Sequence, residues 1–136
     1  MPDPDCIFCK IVAGELPAEV VDSDERTISF MDINPATRGH ALVIPRLHTE
    51  DLFTVSDEDL AATMASARRL ALRMRDTIRP DGINVLNSCG RAAWQTVFHF
   101  HLHLVPRYHD DPLELPWRPA PGDAEEIARV AAELRG

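Results

Sequence analysis

Residues 97–105, Val-Phe-His-Phe-His-Leu-His-Leu-Val, alternate between apolar side chains and imidazoles. A period of two over nine residues predicts a β-strand with unlike faces. Phe98, Phe100, Leu102 and Leu104 form one face, and His99, His101 and His103 the other. Elsewhere the pattern is plainer. Cys6–Ala13 predicts a short helix stopped by Gly14. Segments 19–22 and 26–32 predict a hairpin around the polar turn Asp22–Glu25. His40-Ala-Leu-Val-Ile-Pro45, after the loop Pro35–Gly39, predicts a buried strand ended by proline. Ser56 opens the longest helix, with a capping side chain, Asp59 at the capping-box distance and three acids in the first turn. Leu60, Met64, Ala67, Ala71, Met74 and Ile78 give that helix one apolar stripe, and Pro80 prevents its continuation. A strand is expected over 82–88 and the histidine strand is expected to end at Pro106. An extended tail with four prolines follows over 110–122, then a helix from Asp123 that buries Ile127, Val130 and Leu134.

These elements predict an α+β fold: a single domain with a mostly antiparallel sheet, one long helix and a C-terminal helix. Residues 1–5 read as a flexible N-terminus, 6–109 as the catalytic domain, and 110–136 as the Pro-rich tail and C-terminal helix. A chain of 136 residues can bury a core without disulfide staples. Charge changes the picture more than length does. With 14 basic and 22 acidic residues the net charge is −8, which excludes a broad nucleic-acid surface. A phosphorylated small molecule held locally by histidines and backbone amides remains compatible. No apolar run approaches the roughly 20 residues of a membrane span, so no membrane partner is expected. No N-terminal stretch has the zones of a signal peptide, and a cytoplasmic location is expected. Three cysteines, an odd number, argue against a disulfide framework, and Cys89 reads as an apolar filler.

The histidine row admits three readings. An inert run is costly, because each buried imidazole needs a partner. A metal shared by all three conflicts with strand geometry. Positions i and i+4 lie about 13 Å apart, whereas two nitrogens on one zinc are at most about 4.2 Å apart. The third reading, a phosphate site spanned by rings about 6.6 Å apart, fits best. One ring attacks phosphorus while its neighbours hold oxygens or the leaving group.

His99-Phe-His101-Leu-His103-Leu-Val resembles the motif of the histidine triad (HIT) superfamily of nucleotide hydrolases and transferases, His-φ-His-φ-His-φ-φ with φ apolar. Gln95-Thr-Val, His40-Ala-Leu-Val-Ile-Pro45, Phe30-Met-Asp32-Ile33 and Cys6-Ile-Phe-Cys-Lys-Ile resemble further segments of that family, the last typical of bacterial members. The resemblance spans residues 6 to 107. It implies that His101 is the nucleophile toward the α-phosphate of a purine nucleotide, giving a nucleotidyl-histidine that water resolves. It further implies that His103, Gln95 and Thr96 donate to phosphate, and that His40 orients the triad from behind. Asn87 matches a position near the phosphate. Asp32 matches the acid that receives the ribose hydroxyls, and Ile7, Phe8, Ile11, Phe30 and Ile33 would line the base slot.

Cys6-x-x-Cys9 is compatible with a redox pair, with two buried thiols, or with half of a closed zinc site. In the zinc reading His48 is the third ligand. The resemblance to zinc-binding HIT proteins implies that His99 is the fourth and that the metal is structural. The expected activity is that of a HIT-type hydrolase of phosphoramidates, dinucleoside polyphosphates or AMP esters. A nucleotidyltransferase or phosphorylase, and a nucleotide-binding regulatory protein, are the rival readings. The family also implies a homodimer, for which the stripe on helix 56–79 offers a surface. One residue departs from the pattern: position 94 is Trp where better-known branches have Gly, and the resemblance implies that an indole there would shape the leaving-group side. Trp117 in the tail is open to two roles, packing or contact with a neighbouring active site.

Overall fold

The computed structural model describes residues 2–136, in which five strands form one antiparallel sheet in the order β1-β2-β3-β5-β4. They are β1 (Val20–Ser23), β2 (Thr27–Met31), β3 (Ala41–Pro45), β4 (Gly82–Leu86) and β5 (Leu102–Arg107). The helices are α1 (Ile7–Val12), α2 (Asp57–Thr77) and α3 (Ala124–Arg135). This is the α+β architecture expected. Met1 lies outside the described residues.

The central strands are apolar on both faces because both faces are covered. Ala41, Val43, Leu102 and Leu104 pack with Phe100 under Ala67, Leu70 and Met74 of α2. Ile28, Phe30, Leu42 and Ile44 pack on the other side against Cys6, Phe8 and Cys9 around α1. His103 stands opposite Leu42 in the ladder, so strand alternation sends it to the α1 side. That face is open beyond α1, over β5 and β4.

Four expectations change in the fold. First, the histidine strand begins at Leu102 rather than at residue 97. Backbone groups upstream are satisfied by other partners: the His99 carbonyl by the His101 ring, the His101 carbonyl by Asn87, and the Phe100 N–H by the Thr49 carbonyl. Those groups are not available to the ladder. Second, Pro106 does not end β5, which runs to Arg107. β3 pairs only as far as Leu104, so Pro106 sits where one side of the strand needs no donor.

Third, the stripe on α2 is rotated. Leu70 joins Ala67 and Met74 in the core, while Met64 is 49% exposed. Thr63, Ser66 and Asp59 take buried places instead, bonded to the Asp59 carbonyl, to Thr27 Oγ1 (2.6 Å) and to Arg26 respectively. Buried hydroxyls with partners leave no trace in a hydrophobic period. Most of the stripe faces its own sheet, and Met64 stays exposed beside it. Fourth, Asp123 caps α3 as expected, yet Ile127, Val130 and Leu134 are 59%, 39% and 84% exposed rather than buried. Ahead of α1, the Asp3 carbonyl accepts from Cys6 N–H and the Asp3 N–H donates to Cys9 Sγ.

Candidate active site and zinc site

The triad divides into two neighbouring sites on one face of the segment, with the Phe8 ring edge-on to both His99 and His101. His99 Nε2 lies 2.8 Å from the Pro45 carbonyl, which only a protonated nitrogen can satisfy. Its Nδ1 therefore turns a lone pair inward, toward Cys6 Sγ at 3.5 Å, Cys9 Sγ at 3.6 Å and His48 Nδ1 at 3.3 Å. Cys9 Sγ and His48 Nδ1 are 3.3 Å apart. A tetrahedral zinc with ordinary bond lengths sets its N–N and N–S edges at about 3.3 and 3.6 Å. Two thiols and two imidazole lone pairs thus stand at the corners of a closed zinc tetrahedron. Outer contacts orient the ligands, with Asp3 Oδ2 at 3.9 Å from His48 Nε2 and the Cys9 N–H on Cys6 Sγ. Burial pushes the Cys6 thiol up and, for His99, lowers the imidazole pKa to about 4. All four are donors that a cation would deprotonate or hold neutral. The set leaves no open corner, so the role is structural.

His101 is 4% exposed. Its Nδ1 lies 2.7 Å from the His99 carbonyl, which accepts the Nδ1–H. The tautomer follows from the partner: Nε2 carries the lone pair and is free. Burial lowers the pKa of this ring, so it is neutral near pH 7. Asn87 Nδ2 donates to the His101 carbonyl at 2.9 Å and fixes the main chain beneath it. The edge of Phe8 meets the ring, with centroids 5.2 Å apart.

His103 is set by a relay. The Ala36 N–H donates to His40 Nδ1 at 2.9 Å, so a neutral His40 carries its proton on Nε2. That proton goes to His103 Nδ1, 2.9 Å away, and leaves His103 with a free Nε2–H donor. Asp32 Oδ2 approaches His40 Nε2 at 3.4 Å. Asp32, His40 and His103 are close enough to suggest a second metal group, but the nitrogens between the two rings are occupied by a hydrogen bond.

Burial lowers the pKa of His103 from 6.5 to about 4, helped by the neighbouring His101 and His40, and burial also lowers that of His40 against the pull of Asp32. Between about pH 6.5 and 4 the unfolded chain takes up a proton at His103 and the folded chain does not, and the lowered pKa of His40 acts in the same direction. Stability from this source is therefore full above pH 6.5 and falls as pH falls through that window. Urea unfolding at pH 7 and pH 5 is expected to differ by about 1 kcal/mol or more, with a smaller difference in His103→Asn.

The remaining expected site residues are distributed unevenly. Asp32 Oδ1 accepts the Asn34 N–H, and its carboxylate keeps lone pairs for further donors. Phe8 and Phe30 are core residues, 5% and 3% exposed, whereas Ile7 and Ile33 are 47% and 90% exposed and Ile11 is half-buried. Thr96 is exposed. Gln95 is a buried brace: Oε1 accepts from Gly90 N–H, and Nε2 donates to the carbonyls of Glu50 and Val97. Its donors hold the loop and do not point to a phosphate. Three contributors carry no sequence signal, because each acts through its main chain: the carbonyls of Pro45 and His99 and the N–H of Ala36.

A HIT domain model matches residues 13–110. The protein hit of Bacillus subtilis is 44% identical over 103 residues, covering 76% of this chain and 71% of that protein. Among solved structures, a Zn-bound histidine triad family protein from Mycobacterium smegmatis superposes with a TM-score of 0.78 at 43% identity, covering 96% of each chain. A histidine triad nucleotide-binding protein from Candida albicans gives a TM-score of 0.83 at 32% identity, covering 96% of this chain and 95% of that one. The zinc of the Mycobacterium relative agrees with the tetrahedron of donors found here, and Cys6, Cys9, His48 and His99 form a structural zinc site. With its triad, its sheet and these relatives all pointing one way, the chain belongs to the histidine triad (HIT) family.

Proposed function

We propose that this protein hydrolyses purine nucleotide derivatives at the α-phosphate, through a nucleotide held covalently on His101. The observation that carries the reading is the free Nε2 lone pair of His101, enforced by the Nδ1–H bond to the His99 carbonyl. In the first step Nε2 bonds to phosphorus while the bond from phosphorus to the leaving group breaks. The electron pair departs with the leaving group, which takes up a proton. Water then attacks phosphorus and loses a proton, and the N–P bond breaks with its pair returned to Nε2. One water is consumed, and a nucleoside monophosphate and a protonated leaving group are formed.

The free Nε2–H of His103 would donate to a non-bridging oxygen, where charge stabilisation is worth most. In this reading Asn87 and Thr96 would add neutral donors, and Asp32 would take the ribose hydroxyls. Exposed Ile7 and Ile33 offer the apolar surface for the base, with Ile11, Phe8 and Phe30 behind them. Zinc fixes His99, whose carbonyl holds the nucleophile. Likeness to the nucleotide-binding protein of Candida albicans supports the substrate class. The reading includes a cytosolic homodimer. The apolar stripe of α3, uncovered by its own chain, supports the dimer.

A hydrolysis panel tests the activity: AMP joined to ammonia, to an aromatic amine or to a second nucleotide, each with and without inorganic phosphate. AMP is the expected product in every reaction that turns over. ADP formed only with phosphate would make the protein a phosphorylase, and no turnover by the zinc-loaded protein on any member would sink the proposal.

A further inference from the structure

Beside His103, on the face of the sheet away from α2, a cleft of about 830 Å³ opens across β5 and β4. His40 and His103 stand at one end, Leu86 and Val105 line it, and Trp94 and Trp117 border it. Both indoles are largely exposed, at 72% and 64%. Trp94 also has a φ of 75°, in the left-handed region that glycine enters freely and a bulky residue only against steric resistance. Its neighbours impose that turn. The Trp94 N–H bonds to the Arg91 carbonyl, the Gln95 N–H to the Gly90 carbonyl, and the Gln95 side chain to three backbone groups. A strained indole that contributes little to the core, and lines a cleft leading to the phosphate end of the site, points to a binding role.

The charges around the cleft select what it binds. Arg107 is the one Lys or Arg among the described residues lining it, and its charge is paired with Asp111 while four of its five N–H donors are engaged. Nε and Nη2 bond Asp111, Nη1 bonds Asn84 Oδ1, and Nη2 also reaches the Leu113 carbonyl. Glu114 adds a negative charge. A polyphosphate chain would find no free counter-charge here, whereas a neutral planar ring can lie against the indoles and the apolar strand residues.

We infer that this cleft is the leaving-group subsite of the reaction proposed above, that it takes an uncharged planar aromatic group on the α-phosphate, and that Trp94 is its specificity-determining residue. The inference rests on the hydrolase reading, and one experiment separates the two. The zinc-loaded protein and its Trp94→Gly variant are compared on AMP joined through a P–N bond to an aromatic amine and on AMP phosphoramidate, whose leaving group is ammonia. Glycine suits the left-handed turn, so the variant keeps the loop. The ratio of kcat/KM for the aromatic over the ammonia substrate is expected to fall about tenfold in Trp94→Gly, and Trp94→Phe to retain most of it. An unchanged ratio overturns the subsite alone. An altered sedimentation mass with an unchanged ratio overturns it too, by making the cleft an interface between copies. Failure of the wild-type protein to turn over either substrate overturns the hydrolase reading itself.

Discussion

Replacing His101 with alanine is expected to lower kcat/KM on AMP phosphoramidate by roughly ten thousandfold or more, the scale on which a covalent nucleophile acts. No other ring in the triad can substitute. The Nδ1 lone pair of His99 faces the zinc site and its Nε2–H faces Pro45. His103 presents a proton to solvent rather than a lone pair, because His40 donates to its Nδ1. The variant should keep its zinc and most of its stability, since the His99 and Asn87 contacts to the main chain do not need the imidazole, and metal content with thermal unfolding checks this. Wild-type protein quenched in alkaline denaturant during turnover should carry one nucleotidyl group on the peptide containing His101. Retention of more than about one per cent of the activity in His101→Ala would overturn the mechanism. If nucleotide affinity and the cellular phenotype both survived the loss of turnover, the protein would instead be a nucleotide-binding regulator.

Cys9→Ser is expected to reduce the metal from about one zinc per chain to nearly none, and to lower the unfolding temperature by roughly 10–15 °C. Binding at a thousandfold excess over Kd contributes about 4 kcal/mol, and a domain of this size converts that into a shift of this order. Cys9 Sγ touches His48 and His99 at once and accepts the Asp3 N–H, so its loss loosens three segments together. Activity should fall with the metal, because the His99 carbonyl that orients His101 belongs to a zinc ligand. Elemental analysis and differential scanning calorimetry read the first two effects. A wild-type protein that is metal-free and equally stable would remove the zinc site from the account.

Much of this was legible in the chain because short-range chemistry leaves short-range marks. Ser56 and Asp123 cap the helices expected of them, accepting from the backbone N–H three residues on. The alternation around His103 gives the correct face of β5, and a Cys-x-x-Cys pair on one helical turn brings two thiols to a single corner of the fold. The stripe on α2 failed in phase at Met64 and Leu70, since Thr63 and Ser66 reach the sheet through hydrogen bonds that hydropathy does not register. The stripe on α3 is periodic as read, but period says which residues share a face and nothing of what covers it.

The sequence by itself determined which groups are available: three imidazoles two residues apart, two thiols three apart, and apolar segments enough for a two-sided sheet. Tertiary structure alone decided what each imidazole does. His99, His101 and His103 are chemically identical, and they differ because the Pro45 carbonyl takes the Nε2–H of His99, the His99 carbonyl takes the Nδ1–H of His101, and His40 donates its proton to Nδ1 of His103. Two of those partners lie more than 50 residues away along the chain, and two are main-chain oxygens that every residue carries. A side-chain pattern therefore cannot announce them.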